Sequence, residues 1–151
     1  MLLLSQRGSD ENETEQLMPY HTRSQGVDAQ ALRRGIIKAI SLASAAGMDI
    51  IFLIPGLANA DGDALVELIG EAEAKAFKKN RVTTINGIRF HMETVLSRRA
   101  PGPAVVLAMN VSLAQLERAK ADPRTSEWVY IAWADVEWAE YEAANPSSVA
   151  I

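Results

Sequence analysis

Residues 48–63 read MDIIFLIPGLANADGD, and the apolar run near their start points to the class of fold. The run, residues 49–54, is rich in β-branched and aromatic side chains and is stopped by Pro55 and Gly56. A strand that is apolar on both faces has to be covered on both faces, as in a parallel sheet between helices. A helical pattern opens near Asp63, so the order of strand, turn and helix begins here.

Two more apolar runs, residues 104–109 and 128–133, predict further buried strands. Helical spacing of apolar residues flanks the strands, with predicted helices at residues 29–46, 63–79, 112–122 and 135–145. Because strands that alternate with helices pair in parallel through right-handed crossovers, we predict a small three-layer α/β sandwich with a mostly parallel sheet. In architecture it resembles the Rossmann-like and flavodoxin-like arrangements, and architecture alone implies no function.

Residues that cap helices stand at the predicted helix ends. Asp28 precedes the first helix and Gly47 follows it, while Ser112 and Gln115 have the spacing of a capping box. Asp135 is the predicted cap of the last helix. A cap has a structural role, so each of these residues has an explanation that needs no ligand.

Residues 81–93 favour a β-hairpin. Asn86 and Gly87 are a strong signal for a two-residue turn, and apolar and polar residues alternate after them. The apolar residues between 88 and 96 also fit helical spacing, so a helix is the alternative structure for this stretch.

His91 would share one face of the second hairpin strand with Arg89 and Glu93. Such a trio suits acid–base chemistry or phosphate binding. Since no nucleophile stands near it in the sequence, we favour an ordinary polar pair on a solvated strand face.

The sequence divides into a tail, one domain and a short end. Residues 1–27 form a predicted flexible acidic tail, because residues 9–16 are polar and acidic without any period. Residues 28–146 form a single predicted α/β domain, and residues 147–151 a disordered C-terminus. An apolar island at residues 17–20 either rests on the domain or docks on a partner.

Composition disfavours several classes of function. The 151 residues carry a formal net charge of −4, which argues against general nucleic-acid binding. The absence of cysteine excludes disulfides and thiolate chemistry and fits a reducing compartment, so we expect a cytoplasmic protein. Residues 39–60 carry one charge, Asp49, which a membrane-spanning helix would bury at a cost of about 2.5–3.5 kcal/mol. We therefore expect no membrane partner.

The carboxyl ends of the predicted parallel strands are where we expect a ligand, because open α/β sheets bind ligands there. Helix N-termini follow these ends, and their free backbone N–H groups favour anions. The candidate ligand-binding side chains at these ends are Asn59, Asp61, Asn110, Ser112, Trp133 and Asp135. The structural alternative is a cap for Ser112 and Asp135 and a packing contact for Trp133.

No motif identifies a catalytic residue, a metal site or a cofactor. Gly56 and Gly62 fit neither the dinucleotide-binding pattern nor the P-loop, and the chain lacks a nucleophile elbow. Asp61, Gly62 and Asp63 lack the remaining ligands of a calcium loop. We therefore expect no cofactor and no metal.

Two functional hypotheses follow. The first is a non-enzymatic protein that acts through protein–protein contact, as a homo-oligomer or with a protein partner. Its basis is the lack of a catalytic motif, the apolar island at residues 17–20 and an aromatic cluster near the C-terminus, made of Trp128, Tyr130, Trp133, Trp138 and Tyr141. The second is a protein that binds or hydrolyses a small anionic or nucleotide-like ligand at the strand ends. The sequence leaves open whether the chain is an enzyme.

Overall fold

A mixed seven-stranded sheet lies between two layers of helices in the computed structural model, which describes residues 19–26, 28–56, 63–94 and 98–151. The strands are β1 (Tyr20–Thr22), β2 (Asp49–Leu53), β3 (Val82–Ile85), β4 (Ile88–Glu93), β5 (Ala104–Met109), β6 (Thr125–Ile131) and β7 (Val149–Ala150). The helices are α1 (Ala29–Ala46), α2 (Asp63–Ile69), α3 (Glu71–Asn80), α4 (Leu113–Ala121) and α5 (Asp135–Ala144). The strands follow the order β3-β4-β2-β5-β6-β1-β7, and all neighbours are parallel except β3 and β4. The predicted α/β sandwich with a mostly parallel sheet is confirmed.

The three strands predicted to be buried lie side by side in the middle of the sheet. Ile51 of β2 pairs with Val106 of β5, and Val106 pairs with Trp128 of β6, all in parallel. One face packs against α1, α2 and α3 and includes Ile50, Phe52, Val105, Leu107 and Val129. The other face packs against α4 and α5 and includes Ile51, Leu53, Val106, Ala108 and Tyr130. Strands that are apolar on both faces are therefore covered on both faces, as predicted.

Helix α1 has the predicted bounds and the predicted caps. Asp28 Oδ1 accepts a hydrogen bond from the Ala31 N–H at 3.0 Å, and Gly47 ends the helix with a φ of 67°. A Cβ at Gly35 would lie 2.8 Å from Ile131 Cδ1, so glycine allows the helix to lie close against the sheet. Within the described ranges, no helix has the length and apolar character that a bilayer crossing needs.

The helix predicted over residues 63–79 is two helices, α2 and α3. Gly70 separates them with a φ of 89°, a backbone conformation that favours glycine, and its N–H donates to the Val66 carbonyl at 2.8 Å. The apolar pattern continues through the break because both helices bury residues against the same face of the sheet. Spacing alone therefore did not reveal the break.

The hairpin at residues 81–93 is confirmed. Ile85 pairs with Ile88, and Asn86 and Gly87 between them have φ values of 52° and 79°, as a type I′ turn requires. The predicted solvated face for His91 and Glu93 is wrong, because the two side chains are only 6% and 3% exposed. They are buried because β4 pairs with β2 and is an inner strand of the sheet.

The sheet extends beyond the predicted domain limits at both ends. β1 falls within the predicted tail and β7 within the predicted disordered C-terminus, yet both are paired strands of the sheet. Residues 1–18, which include the acidic segment, lie outside the described part of the chain. His21 of β1 is 1% exposed, and its Nδ1 lies 2.8 Å from Ser148 Oγ and its Nε2 2.6 Å from Glu142 Oε2. These partners are 127 and 121 positions away along the chain, so no local pattern predicts them.

The connection from β4 to β5 has no helix in its described residues, Thr94 and 98–103. It joins two strands that lie on either side of β2. Ala100 from this connection packs with Ile51 and Leu53 on the face that α4 and α5 cover elsewhere. Part of β2 and β4 is therefore covered by irregular chain instead of a helix, which leaves room for a cavity.

Tyr130 and Tyr141 make a matched pair of buried tyrosines, both 0% exposed and with ring centroids 4.9 Å apart. The Tyr130 hydroxyl has no hydrogen-bond partner among the described residues. The Tyr141 hydroxyl accepts from Trp128 Nε1 and donates to Ser148 Oγ, both at 2.9 Å. We expect Tyr130→Phe to raise the free energy of unfolding by about 1 kcal/mol and Tyr141→Phe to lower it by about 1–2 kcal/mol.

Urea denaturation followed by circular dichroism measures both changes. Each variant is the control for the other, because both lose one hydroxyl from a fully buried ring. Equal effects from the two substitutions would contradict the assignment of hydrogen bonds to Tyr141 alone.

Candidate ligand-binding cavity

The carboxyl edge of the sheet has a topological switch point between β2 and β5. The chain leaves β2 toward α2, in the layer of α1, whereas it leaves β5 toward α4, in the opposite layer. Because β2 and β5 are neighbours, the two connections diverge at this point, which is where open α/β sheets bind ligands. The general location that we predicted for a ligand therefore coincides with the switch point.

The predicted site residues divide between this edge and the part of the chain that is not described. Asn59 and Asp61 lie outside the described residues. Asn110 follows β5 and Trp133 follows β6, and the Asn110 N–H donates to the Ile131 carbonyl at 2.9 Å, so both lie at the same edge. Trp133 is 46% exposed. Asn110 has a φ of 61°, and its buried Oδ1 has no hydrogen-bond partner among the described residues.

Ser112 and Asp135 were predicted both as site residues and as helix caps, and only one of them caps its helix. Ser112 Oγ accepts from the Gln115 N–H at 3.1 Å and Gln115 Oε1 accepts from the Ser112 N–H at 3.0 Å, so the capping box is confirmed. Asp135 is not a cap, because Ala134 occupies the cap position and Asp135 is the first residue of α5. Glu137 reaches back instead, and its Oε1 accepts from the Trp133 N–H at 3.2 Å. Ser112 thus has a structural role, and Asp135 lies exposed at the helix start.

A cavity of about 100 Å³ lies between α4 and the β4–β5 connection, and we refer to it as the α4 cavity. Its floor consists of aliphatic side chains from β2 and β5, namely Ile51, Leu53 and Val106. Its walls carry five charged side chains, Glu93, Arg98, Arg118, Asp122 and Arg124, and the polar residues Thr94 and Gln115. Leu53 and Thr94 stand at the carboxyl ends of β2 and β4, and Gln115 belongs to the first turn of α4. The cavity therefore reaches from the switch-point side of the sheet down the face beside α4.

A buried ion pair forms one wall of the α4 cavity. Arg124 donates to both oxygens of Glu93, from Nη1 at 2.8 Å and from Nη2 at 2.9 Å. Its Nε and Nη2 also donate to Asp122, at 3.2 and 2.9 Å, and its Nη1 to the Ala100 carbonyl at 2.9 Å. Glu93 Oε2 accepts two more hydrogen bonds, from the backbone N–H groups of Arg99 and Ala100 at 2.7 and 2.8 Å. The pair therefore fixes the β4–β5 connection to the start of β6.

Both carboxylates in this wall are held in the charged form. Burial raises the pKa of Glu93, but hydrogen bonds from Arg124, Ala100 and Arg99 outweigh it, so the pKa lies below its usual value. Hydrogen bonds from Arg124 lower the pKa of Asp122 to about 2. The same carboxylates raise the pKa of Arg124 further above its ordinary value. At neutral pH the wall thus holds two negative charges around one positive charge.

We expect the protein to lose stability as the pH falls from about 4 to about 2. The pKa of Asp122 is about 2 in the folded protein and 3.8 in its ordinary state, so the unfolded chain takes up the proton first. The stabilisation is present above about pH 4 and is lost as the pH falls through the folded-state value. Urea denaturation across this range measures it, with Asp122→Asn as the comparison. An equally steep pH dependence in both proteins would contradict the assignment to Asp122.

Two further arginines at the α4 cavity are not committed to the buried pair. Arg98 is 72% exposed, and its Nη2 lies 3.9 Å from Asp122 Oδ2, at the limit of an ion pair. Arg118 is exposed on α4, and no carboxylate of the described residues lies within 4 Å of it. These two arginines line the same cavity as the apolar floor, a combination suited to an anion that carries an apolar part.

Sequence reasoning missed most of this cavity. It singled out Glu93 but assigned no role to Arg118, Asp122 or Arg124. Glu93 and Arg124 are 31 positions apart; Glu93 lies in β4 and Arg124 directly before β6, and these strands are not neighbours, so their contact depends on the whole topology. The one local signal is the pair of arginines at residues 98 and 99, directly before a turn rich in proline and glycine.

Among the described residues, no metal site indicates a function, and no related protein does so either. In the described part of the chain, no group of three or more His, Asp or Glu side chains has an arrangement that would hold a metal ion. No family model, curated protein or solved structure matches this chain. The chemistry of the α4 cavity is therefore the basis for a functional proposal.

Proposed function

We propose that this chain is a small-molecule-binding protein and that the α4 cavity takes a small ligand with an anionic group. The observation that carries the proposal is Arg118, an arginine without a carboxylate partner in the described part of the chain, beside a cavity with an aliphatic floor. Arg98 adds a second, largely exposed guanidinium at the same cavity. Ligand sites commonly combine such an apolar surface with a few convergent polar groups.

Glu93 and Asp122 repel an anion in this cavity less strongly than two carboxylates without a cationic partner would. Arg124 donates to both oxygens of Glu93 and to both oxygens of Asp122. The three arginines that line the whole cavity exceed its two carboxylates by one positive charge. An incoming anion therefore meets a lining with a small excess of positive charge, mostly at the exposed Arg98 and Arg118.

A thermal-shift screen tests the proposal with acetate, isovalerate, phosphate, sugar phosphates and nucleotides as probes. We expect at least one of them to raise the melting temperature of the full chain by about 3–6 °C when its concentration is tenfold above the dissociation constant. Arg118→Gln should reduce the shift, because it removes the unpaired guanidinium and keeps most of the side chain. Arg34→Gln is the matched control, since Arg34 is exposed on α1 in the other helix layer.

The screen has two results that would contradict the proposal. One is that no probe raises the melting temperature even at tens of millimolar, well above a millimolar dissociation constant. The other is that Arg118→Gln and Arg34→Gln respond to every probe in the same way as the unaltered chain.

Self-association is the second candidate function, and it is supported by one exposed apolar pair. Trp133 is 46% exposed and Val136 is 68% exposed, and both lie at the start of α5. Most of the aromatic cluster behind this hypothesis packs within the protein, since Tyr130 and Tyr141 are fully buried and Trp128 donates to Tyr141. Light scattering at micromolar concentration tests it: a dimer that Val136→Glu dissociates would support it, and a monomer would contradict it.

A further inference from the structure

We infer that the ligand of the α4 cavity is a short branched aliphatic monocarboxylate, an inference that rests on the proposed binding function. The proposed function requires only an anionic group, whereas the structure also limits the size, the shape and the charge of the ligand. Each of the three follows from a different feature of the cavity.

The volume of the α4 cavity limits the size of the ligand. A cavity of about 100 Å³ is smaller than the ~150 Å³ cavity that holds a benzene ring, so it has room for about four carbon atoms. A nucleotide base is larger than a benzene ring, so a space of about 100 Å³ does not enclose one. The ligand is accordingly a small molecule of which the carboxylate can lie outside the apolar space, beside the arginines.

The floor of the α4 cavity determines the shape and the polarity of the part of the ligand that the cavity encloses. Ile51, Leu53 and Val106 are all branched aliphatic residues, and they are 3%, 7% and 2% exposed. They offer methyl groups and no hydrogen-bond partner, so a hydroxyl or an amine against them would lose its hydrogen bonds to water. Because all three floor residues present methyl groups, a branched alkyl group makes more dispersion contacts with them than a linear chain with the same number of carbon atoms in reach.

The charges at the cavity set the charge of the ligand. Arg98 and Arg118 are the guanidinium groups available to an anion, because Arg124 is committed to Glu93 and Asp122. A single carboxylate neutralises the one excess positive charge of the cavity lining and suits the fork of a guanidinium. A dianion such as phosphate would bring a second negative charge close to Glu93 and Asp122.

Saturation-transfer NMR with the full chain tests the inference, with isovalerate as the probe. We expect saturation of the isovalerate methyl groups and a dissociation constant in the millimolar range. The neutral isostere isovaleramide should bind at least about tenfold more weakly, because it lacks the charge-assisted hydrogen bonds to guanidinium. Arg118→Gln should weaken isovalerate binding by about tenfold, whereas Arg34→Gln should leave it unchanged.

Val106→Ile tests the floor, because it adds a methylene to the floor of the cavity and should reduce isovalerate binding. Should this variant not fold, the Arg118→Gln comparison still decides, because Arg118 is exposed. Equal binding of isovalerate and isovaleramide would overturn the inference. Phosphate that binds while isovalerate does not would overturn the ligand class and leave the proposed function standing. Failure of every anion would overturn both.

Discussion

Replacement of Arg124 by methionine is expected to lower the free energy of unfolding by about 3–5 kcal/mol. Glu93 is 3% exposed and would lose two hydrogen bonds and its opposite charge while it stays in place. A buried carboxylate that loses its guanidinium partner is strongly destabilising, because the two backbone N–H groups that still donate to Glu93 do not replace the positive charge. Urea denaturation at neutral pH, followed by circular dichroism, measures the loss.

Two comparisons show whether the loss comes from the uncompensated Glu93. Arg98→Met is the matched control, since Arg98 is 72% exposed and its contact with Asp122 is 3.9 Å long, and we expect a loss below about 0.5 kcal/mol. The double variant Glu93→Met and Arg124→Met should be more stable than Arg124→Met alone, because it removes the stranded charge. An Arg124→Met protein that loses less than about 1 kcal/mol would contradict the role given to this ion pair.

Phe52→Ala is expected to lower the free energy of unfolding by about 3–5 kcal/mol as well. Phe52 is 2% exposed in β2, which lies between β4 and β5 near the middle of the sheet. Its ring stacks on Phe77 of α3 with centroids 5.9 Å apart and an angle of 24° between the planes. Truncation removes the apolar burial and leaves a cavity between the sheet and the helix that the surroundings only partly fill.

Ile37→Ala is the surface control for this prediction. Ile37 is 59% exposed on α1, so its truncation should change stability by less than about 0.5 kcal/mol. Phe77→Ala and the double variant complete a cycle, in which the loss from both changes should be smaller than the sum of the single losses. Additive losses in that cycle would show that the two rings do not pack against each other.

The middle of the fold could be predicted, because the residues that determine these elements lie close together in the sequence. The runs of β2 and β5 contain their own evidence of burial on two faces, and α1 lies between its predicted caps, Asp28 and Gly47. The turn at Asn86 and Gly87 likewise sets the hairpin by backbone conformation alone. Such features depend on residues within a few positions of each other, which is the range over which sequence patterns are informative.

The edges of the sheet and the cavity were not predictable, because they depend on distant residues. β1 is three residues long and polar in part, and His21 is buried only because Glu142 and Ser148 reach it from the other end of the chain. Glu93 is buried because β4 is an inner strand and Arg124 lies across the face. Strand order and the lack of a helix in the described part of the β4–β5 connection are not encoded in any local spacing.

The most direct test of the binding proposal is a ¹H–¹⁵N NMR titration of the full chain with isovalerate and, separately, with phosphate. We predict that at least one of them shifts backbone amide signals of residues at the α4 cavity, namely Thr94, Gln115, Arg118, Ala119 and Thr125. Shifts confined to Asn110, Ser112 and Trp133 at the carboxyl edge, or no shift with either anion, would contradict the account.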